Sequence, residues 1–499
     1  MDKVFPDKKS FLSLAKRYNV IPVTAEVSAD METPVSCFLK LGDAPYSYLL
    51  ESVEGGEKMA RYTFIGASAS LIFQSKGREI SVERSGSAPK TFKTSKDPLT
   101  ELQKLLAGYR QAPVDGLPPF SGGAVGYMGY DAVRFFERIP DKNPDVKKIP
   151  DSLFIFTDTL FAFDHVRRTL KVICNAFVSD KGSAGEAYDL AVEKVQAELR
   201  RLRTASPVQS TSVSSEKKSA QKVTSNFTRA SYKKAVLKAK KYIKAGDIFQ
   251  LVPSQAFRTK MTADPFDVYR ALRSINPSPY LFYIHARGFR LIGSSPEVHV
   301  RCENGKALLR PIAGTRRRGR DEKEDLRLEK ELLADKKERA EHLMLVDLGR
   351  NDLGRVCEYK SVTVPEFMTI ERYSHVMHIV SLVTGKLRKD QDNFSLLRAT
   401  FPAGTVSGAP KVRAMEIIDE LENEKRGFYA GIVGYFSFSG NLDTCIAIRT
   451  ILAKDGMATV QAGGGVVADS DPDKEYEETV NKAKALLKAL EMAEKGLVS

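Results

Sequence analysis

Two pairs of glutamates are the residues of this sequence best suited to chemistry. Glu475 and Glu478 follow a Gly-Gly-Gly run at 463–465, and Glu338 and Glu341 have the same spacing earlier in the chain. A separation of three residues on a helix places both carboxylates on one face. Carboxylate oxygens suit Mg²⁺, which usually keeps several waters and takes its remaining ligands from the substrate. Two facing helices with such pairs would therefore form a magnesium site.

The glycine run would supply the other half of such a site. Because Gly463, Gly464 and Gly465 carry no side chain, their backbone N–H groups can approach an anion closely. Each feature also has a plainer explanation, since glycines form turns and paired charges on helices usually lie at the surface. Taken together, the two acidic pairs and the glycine run indicate a Mg²⁺-assisted enzyme that acts on a small carboxylate.

Further polar residues stand where a site could use them. Glu297 follows Ser-Ser-Pro at the predicted start of a strand, where it could serve as a general acid. Arg449 lies among isoleucines, and a cation on a half-buried strand requires an anionic partner. Thr405 lies in a loop of small residues that fails the spacing of an ATP-binding loop. The arginine-rich run at 316–320 could bind phosphate or form a solvated loop.

The segments around these residues carry the signals of helices. Asp471-Pro472 predicts the first turn of the helix that carries the C-terminal acidic pair. Residues 328–352 have the apolar periodicity of one long helix, with the other acidic pair near its middle. Thr228 is the predicted N-cap of a helix over 229–245.

Length and charge limit the domain organisation and the partners. The chain has 499 residues and a formal net charge of +14, from 77 basic and 63 acidic residues. A Ser/Thr/Lys-rich stretch at 204–226 predicts a flexible linker between an N-terminal region, 1–203, and a catalytic C-terminal region, 227–499. The positive charge admits nucleic-acid binding. Because basic and acidic residues are interleaved and no nucleic-acid-binding signature occurs, we expect no nucleic-acid partner.

The sequence shows no sign of membrane association or secretion. No apolar run approaches the roughly 18 residues of a membrane span, and the N-terminus lacks the pattern of a signal peptide. The five cysteines are scattered and contain no CxxC pair, which favours reduced thiols over a disulfide framework or a zinc site. We therefore expect a cytoplasmic protein.

Several longer motifs occur together and in a fixed order. They are SSPE at 294–297, PIAGT at 311–315, AEHLMLVDLGRND at 340–352, YSHVMH at 373–378, PAGTVSGAPK at 402–411, the AGGG loop and the DPxxExxE helix, preceded by LLES and GGxVGYxGYD in the N-terminal region. With these motifs the sequence resembles the chorismate-utilising enzymes over nearly its whole length. The resemblance implies an α/β fold of the α+β type, with two packed antiparallel β-sheets flanked by helices and chorismate bound between them.

The resemblance also implies a role for individual residues, by their positions in the motifs. The implied Mg²⁺ ligands are Glu341 and Glu478, with direct or water-mediated support from Glu338 and Glu475. The implied contacts to the carboxylates of the substrate are Tyr429, Arg449, Lys482 and the amides of Gly463 and Gly465. Thr405 and His378 would lie next to the reacting ring, and Glu297 would act as general acid for the departing C4 hydroxyl.

Two positions distinguish the branches of this family. Relatives that add water to chorismate carry a lysine base where this sequence has Gln250. Relatives that form aminodeoxychorismate carry a nucleophilic lysine where this sequence has Ala313. Ammonia that attacks C2 needs neither group, so the resemblance implies anthranilate and pyruvate as products, formed through 2-amino-2-deoxyisochorismate. Aminodeoxychorismate and isochorismate synthesis are the alternatives.

A regulatory ligand and a partner follow from the same resemblance. Anthranilate synthesis begins the pathway to L-tryptophan, which would bind as a feedback inhibitor at Glu51, Ser52, Pro279, Tyr280 and Leu281. The sequence shows no nucleophilic cysteine elbow with the later histidine and glutamate of a glutaminase. We therefore expect ammonia to come from a glutamine amidotransferase subunit, in a heterotetramer of two large and two small subunits.

Overall fold

The computed structural model of the chain describes residues 3–52, 61–179, 183–204, 222–373 and 376–497. Its α-helices are α1 (Lys8–Leu14), α2 (Pro34–Leu41), α3 (Pro98–Ala107), α4 (Ala184–Thr204), α5 (Arg229–Lys244), α6 (Pro265–Ile275), α7 (Glu322–Ala334), α8 (Lys336–Gly354), α9 (Asn393–Thr400), α10 (Lys411–Leu421) and α11 (Pro472–Glu494). Short 3₁₀ helices cover Tyr130–Phe135 and Gly404–Val406. Within these ranges, no helix is long and apolar enough to cross a membrane.

The strands are short and are distributed along the whole chain. They are β1 (Val4–Phe5), β2 (Val20–Ser28), β3 (Tyr48–Glu51), β4 (Tyr62–Gly66), β5 (Leu71–Lys76), β6 (Glu79–Arg84), β7 (Lys90–Lys93), β8 (Gly123–Met128), β9 (Ser152–Thr157), β10 (Thr159–Asp164), β11 (Thr169–Phe177), β12 (Thr224–Ser225), β13 (Gln250–Leu251), β14 (Ser254–Lys260), β15 (Tyr280–Ala286), β16 (Phe289–Ser295), β17 (Val298–Glu303), β18 (Lys306–Leu309), β19 (Ile312–Arg317), β20 (Thr363–Arg372), β21 (Val376–Lys386), β22 (Gly408–Ala409), β23 (Ile432–Ser437), β24 (Leu442–Ile446), β25 (Thr450–Lys454) and β26 (Met457–Gly463).

These strands form two twelve-stranded sheets and one pair. The first sheet has the order β1-β2-β11-β10-β4-β3-β15-β16-β25-β26-β14-β12. The second has the order β19-β21-β18-β17-β24-β23-β8-β9-β5-β6-β7, with β20 also paired to β21, while β13 and β22 form the separate pair. In the described residues, every pairing between these strands is antiparallel. The predicted fold class of antiparallel sheets with flanking helices is confirmed.

The first sheet is covered on both faces. Along β10, Leu160 belongs to the core shared with the second sheet, whereas Phe161 belongs to the core under the helices. Tyr48 and Leu49 of β3 divide in the same way. Because successive side chains of a strand point to opposite faces, a strand that is apolar at every position must be covered on both sides. Helices α4, α6 and α11 provide the outer cover.

The second sheet is covered in a similar manner. Tyr435 of β23 packs against Phe64 of the first sheet, and its neighbour Phe436 stacks on Phe394 of α9 with ring centroids 4.7 Å apart. Helix α8 packs on β19 and β21 of this sheet. The elements that carry the two acidic pairs therefore lie on different sheets, with α8 on the second and α11 on the first.

Each sheet takes strands from both of the predicted regions. β3 pairs with β15 in the first sheet, and β8 pairs with β23 in the second. Most of the predicted linker, at 205–221, lies outside the described residues. Thr204 is the last residue of α4, and Thr224–Ser225 form β12. The division into regions 1–203 and 227–499 stays a prediction, while the pairing shows that their described parts build the same two sheets.

Local signals identified the starts of α5 and α11 but missed one helix break. The predicted helix over 229–245 is confirmed as α5, with Thr228 as its N-cap. The prediction of one long helix over 328–352 is wrong, because the chain breaks at Asp335, which ends α7 and caps α8. The Asp335 carboxylate accepts hydrogen bonds from the first free N–H groups of α8, including that of Glu338 at 3.2 Å. Glu338 and Glu341 therefore lie in the first two turns of α8 and not near the middle of one long helix.

The cap of α11 gives a test of these local signals. Asp471 Oδ1 accepts hydrogen bonds from the backbone N–H groups of Asp473 at 2.9 Å and Lys474 at 3.0 Å. Asp471→Ala removes the acceptor, so we expect the free energy of unfolding, measured in urea, to fall by about 1 kcal/mol. Asp471→Asn keeps a side-chain oxygen and should match the wild type. An equal loss in both variants would contradict the capping role.

Candidate active site

The glycine run lies where the two acidic helices meet. It begins at the last residue of β26, and carboxylates approach its main chain from both helices. A Cβ atom added to Gly464 would lie 2.9 Å from Glu475 Oε2, and one added to Gly465 would lie 3.8 Å from Glu341 Oε1. The glycines thus let the carboxylates reach the backbone. The structure brings Glu475 and Glu478 of one predicted pair and Glu341 of the other to this loop, whereas Glu338 lies against Gly314 instead.

Glu341 is held from the side of β13. Gln250 Nε2 donates a hydrogen bond to Glu341 Oε1 at 3.0 Å, and Gln250 is 3% exposed. Gln250 Oε1 is buried and has no hydrogen-bond partner in the described part of the chain. A Cβ atom on Gly465 would lie 2.7 Å from Gln250 Nε2, so the amide fills the space between α8 and the glycine run. The sequence analysis considered Gln250 only as the absence of a lysine and missed this hydrogen bond.

Glu338 lies at the edge of the site and has a basic partner. Arg316 Nη1 donates to Glu338 Oε1 at 3.3 Å. The run at 316–320 was expected to be a loop, solvated or phosphate-binding, but Arg316 and Arg317 are the last residues of β19. Arg317 and Arg318 pair with acidic residues of α7. These contacts pair Arg316, Arg317 and Arg318 with carboxylates, and sequence spacing gave no signal of them.

The remaining carboxylates are crowded together. Burial raises the pKa of Glu341, and the negative charges of Glu338 and Glu478 raise it further. Burial likewise raises the pKa of Glu475, with a further contribution from Glu478. Glu475 Oε2 is buried without a hydrogen-bond partner in the described residues. A bound cation would relieve this repulsion, although across the described ranges no group of three or more His, Cys, Asp or Glu side chains is arranged to hold a metal by itself.

Two cations and a phenol lie at the other side of the glycine run. Lys482 Nζ lies 2.6 Å from Glu478 Oε1 and donates to Gly463 O at 2.9 Å. Arg449 Nη1 lies 3.4 Å from Lys482 O, and in the described part of the chain its guanidinium forms no ion pair. A Cβ atom on Gly463 would lie 2.8 Å from Tyr429 Oη. The residues predicted to bind substrate carboxylates thus converge, and Arg449 retains an unneutralised charge.

Glu297 has the properties of a general acid. It lies just before β17 and lines a small cavity of about 50 Å³ together with Thr405. Burial raises the pKa of Glu297 to about 7, and the rise is opposed by the nearby Thr405 hydroxyl, which is buried and makes no hydrogen bond of ordinary geometry within the described residues, and by the charge of Lys482. A carboxyl with this pKa is substantially protonated at neutral pH and can donate its proton to a leaving group. The predicted roles of Glu297 and Thr405 therefore have a common location.

His378 lies on β21, next to Gly314 and Thr315. Its Nδ1 lies 3.0 Å from Gly314 O and 3.1 Å from Thr315 Oγ1. Because a carbonyl oxygen can only accept, Nδ1 carries the hydrogen and Nε2 is left as an acceptor. Burial lowers the pKa of His378, and the charge of Arg449 lowers it further. Residues 374 and 375 of its motif lie outside the described residues.

A second, larger cavity of about 550 Å³ is lined by strands of both sheets. All five residues predicted to bind L-tryptophan line it, namely Glu51, Ser52, Pro279, Tyr280 and Leu281. Leu281 of β15 pairs directly with Glu51 of β3, so the two motifs meet across one strand pair. The structure therefore brings together residues that are more than two hundred positions apart in the sequence.

The polar groups of this larger cavity are fixed in place. Tyr280 Oη donates to Asp443 Oδ1 at 2.7 Å, and Arg301 forms an ion pair with Asp443 at 2.9 Å. Glu51 is 4% exposed, and Arg273 Nε donates to its Oε2 at 3.0 Å. Sequence reasoning missed Arg301 and Asp443, which no motif marks. The cavity thus combines an apolar wall with buried, oriented charges, as a site for a small amphipathic ligand requires.

The pKa of Glu297 can be tested through stability. Between pH of about 4.5 and 7 the folded chain keeps a proton on Glu297 that the unfolded chain has released, so this group lowers stability as pH rises. Above that range both states are ionised and the effect is complete. Glu297→Gln mimics the protonated form, so its free energy of unfolding relative to wild type should increase by roughly 3 kcal/mol across this range. A difference that is independent of pH would contradict a raised pKa.

Comparison with known proteins agrees with this geometry. The sequence profile of the chorismate binding enzymes matches residues 45–488. Anthranilate synthase component 1 from Acetivibrio thermocellus is 50% identical over 493 residues, which cover 98% of this chain and 99% of that protein. The crystal structure of anthranilate synthase component I from Streptococcus pneumoniae superposes with a TM-score of 0.76 at 37% identity, over 86% of this chain and 92% of the other.

A more distant structure has the same fold. The menaquinone-specific isochorismate synthase from Escherichia coli superposes with a TM-score of 0.69 at 18% identity, over 97% of this chain and 98% of the other. At this identity the likeness concerns the fold alone. The match of the family profile and the high identity to full-length relatives establish the family. This chain is a member of the chorismate-binding enzyme family.

Proposed function

We propose that the protein is the chorismate-aminating subunit of an anthranilate synthase, which converts chorismate and ammonia to anthranilate, pyruvate and water. The observation that carries this proposal is the convergence of Glu341, Glu478 and Lys482 on the glycine run, with Glu297 nearby. Relatives that match nearly the full length of the chain carry the same name. The reaction would be the first step of L-tryptophan synthesis.

The carboxylates of α8 and α11 fit a Mg²⁺ ion. Glu341 and Glu478 are the residues that would hold it, with Glu475 close by and Glu338 at the edge. The unpartnered, buried Glu475 Oε2 and the raised pKa values of Glu341 and Glu475 indicate a site with surplus negative charge. Two carboxylates suffice for an ion that keeps waters and takes further oxygens from its substrate. Bound there, Mg²⁺ would neutralise and orient a substrate carboxylate.

The remaining residues account for the chemical steps. Arg449, Lys482 and Tyr429 would bind the carboxylates and fix the ring against the glycine run. Glu297 would protonate the departing C4 hydroxyl while ammonia attacks C2, and pyruvate would leave from the aminated intermediate. Gln250 lacks the basicity that activation of water requires, and Ala313 lacks a nucleophile. Both positions favour ammonia over the routes to isochorismate or aminodeoxychorismate.

Ammonia would reach the chain from a partner. The relatives are named as component 1 of anthranilate synthase, which implies a second component. We propose that this is a glutamine amidotransferase, joined in a heterotetramer of two copies of each chain. The isolated chain should then use ammonium salts and gain the use of glutamine only when the partner is added.

The proposed reaction can be measured by anthranilate fluorescence. With chorismate, ammonium and Mg²⁺ at mildly alkaline pH, we expect fluorescence to rise, to stop with EDTA and to recover with excess Mg²⁺. Glu341→Gln should lower the rate by about 100-fold or more, because one of the two carboxylates that would hold Mg²⁺ against the substrate is lost. Glu477→Gln is the control with the same change of charge. Glu477 lies on the other acidic helix, α11, and pairs with Arg229 at 3.1 Å outside the site. This variant should keep full activity.

The other outcomes distinguish between the parts of the proposal. Loss of chorismate without anthranilate would overturn the assignment of product, and mass spectrometry would identify isochorismate or aminodeoxychorismate. Activity that resists EDTA would overturn the role of Mg²⁺. Chorismate that is not consumed, even after an amidotransferase partner is added, would overturn the enzymatic proposal itself.

The larger cavity is proposed as the site of feedback inhibition by L-tryptophan. Its volume, its apolar wall and the buried Glu51 suit an indole with a charged amine. The Arg273 contact uses Glu51 Oε2, so Oε1 is the oxygen that could meet the amine of the ligand. A charge-assisted hydrogen bond of this kind would anchor one end of the ligand while the ring fills the cavity.

The absence of tryptophan from this sequence makes the binding test simple. Excitation at the red edge of the indole band reports only added L-tryptophan, whose fluorescence anisotropy should rise as protein is titrated in. Glu51→Gln should weaken binding by at least about tenfold, because a hydrogen bond to a charged group is lost. Glu83→Gln, which affects an exposed pair with Arg287, is the control and should bind normally. Equal affinity in both variants would contradict the proposed site.

A further inference from the structure

We propose that Arg426 is a positioning residue that aligns three parts of the active site, an inference that rests on the proposed function. Arg426 is 1% exposed, and the segment that it contacts at Val252 adjoins Gly463 of the glycine run. Its Nη1 donates to Val406 O at 2.7 Å, and its Nη2 donates to Val252 O at 2.7 Å. One planar guanidinium therefore joins two backbone segments that are far apart in the sequence.

Each of these segments carries a residue of the site. Val406 follows Thr405, which lines the small cavity with Glu297. Val252 lies two positions after Gln250, which binds Glu341. The next residue of this segment, Pro253, also accepts a hydrogen bond from the Gly464 N–H at 3.3 Å. The two segments that Arg426 holds thus contain or adjoin a residue next to the general acid, a residue that binds a proposed metal ligand, and a residue that binds the glycine run.

The third part is Tyr429, three residues after Arg426. The guanidinium lies 5.5 Å from the centroid of the Tyr429 ring and 4.7 Å from that of Tyr130. Its charge is balanced by Glu422, whose Oε1 accepts from Arg426 Nη2 at 2.6 Å and from Ser254 N at 2.9 Å. Arg426 therefore uses both terminal nitrogens for hydrogen bonds and its planar group for contacts with the two rings. A lysine ammonium cannot make this set of contacts, because it lacks the planar fork.

The GYD motif of the N-terminal region supports the same segment. Asp131 Oδ2 accepts a hydrogen bond from Gly427 N at 2.8 Å, and Tyr130 N donates to Gly427 O at 2.8 Å. Gly427 has a positive φ of 61°, so these two bonds hold a backbone conformation that favours glycine. The motif, to which neither the catalytic nor the tryptophan-binding prediction gave a function, thus helps to fix Arg426 from the other side.

Arg426→Lys tests the proposal in the 499-residue chain. We expect kcat/KM for chorismate, with ammonium as the nitrogen source, to fall by about 100-fold, because small misplacements of reacting groups have effects of this size. The matched control is Arg258→Lys, which alters a neighbouring, partly buried ion pair with Glu424, to which Lys147 Nζ also binds at 3.1 Å. This control should keep the wild-type rate. Urea unfolding of both variants would report their stabilities.

A pH profile separates positioning from a purely structural role. Thr405 and Lys482 oppose the rise in the pKa of Glu297, and the other titratable groups around that cavity are His299, Arg310 and Asp352. If Arg426 holds Thr405 in place, Arg426→Lys should move the alkaline limb of kcat/KM to higher pH, measured at a constant concentration of uncharged ammonia. A slower enzyme with an unmoved limb, or an unchanged rate, would overturn the proposal.

Tyr130→Leu provides a second variant in case Arg426→Lys does not fold. It keeps Arg426 paired with Glu422 and removes only the ring beneath the guanidinium. The same shift of the alkaline limb, with a smaller loss of rate, would support the proposal, and wild-type behaviour would overturn it. A wild-type chain without any amination of chorismate would instead refute the proposed function, so the two failures are distinguishable.

Discussion

Electrostatic repulsion among crowded carboxylates is the constraint on which the arrangement of this site depends. Glu341 and Glu475 belong to helices on different sheets, yet both reach one glycine run, where Glu475 is buried and Glu341 is half-buried, so that burial raises the pKa of each. A side chain at Gly464 would have to displace the Glu475 carboxylate, whose Oε2 would lie 2.9 Å from an added Cβ atom. The carboxylates lie on one side of the site, and Lys482 and Arg449 lie on the other. A cation can therefore bind on the first side while an anion binds next to it on the second.

The two sheets place the site and the larger cavity next to each other. Strand β24 contributes Asp443 and Cys445 to the wall of that cavity. The next residue, Ile446, donates its N–H to Glu297 O at 3.0 Å. A single strand thus borders both the proposed effector site and the general acid, and no long chain of intermediate residues separates them.

The sequence allowed much of this arrangement to be predicted. Helix caps such as Asp471 and Thr228 were readable because a cap depends on neighbouring residues alone. The fold and the roles of residues such as Tyr429 came from family resemblance, since pairing between distant strands has no local signal. The break at Asp335 was missed because no Gly or Pro marks it, although Asp335 followed by Glu338 three residues later has the spacing of a helix start. The contacts of Gln250, Arg316 and Arg426 were missed because their partners are distant in sequence.

Because each sheet combines strands from distant parts of the sequence, the chain cannot complete either sheet until late in its synthesis. During synthesis, β8 emerges long before β23, the neighbour that covers one of its edges, and β3 must likewise wait for β15. Such strands expose unpaired backbone and apolar faces that favour association with other chains. Pairings over this sequence distance also close slowly. The nascent chain should therefore depend on chaperones, and neither half should persist as a stable fragment.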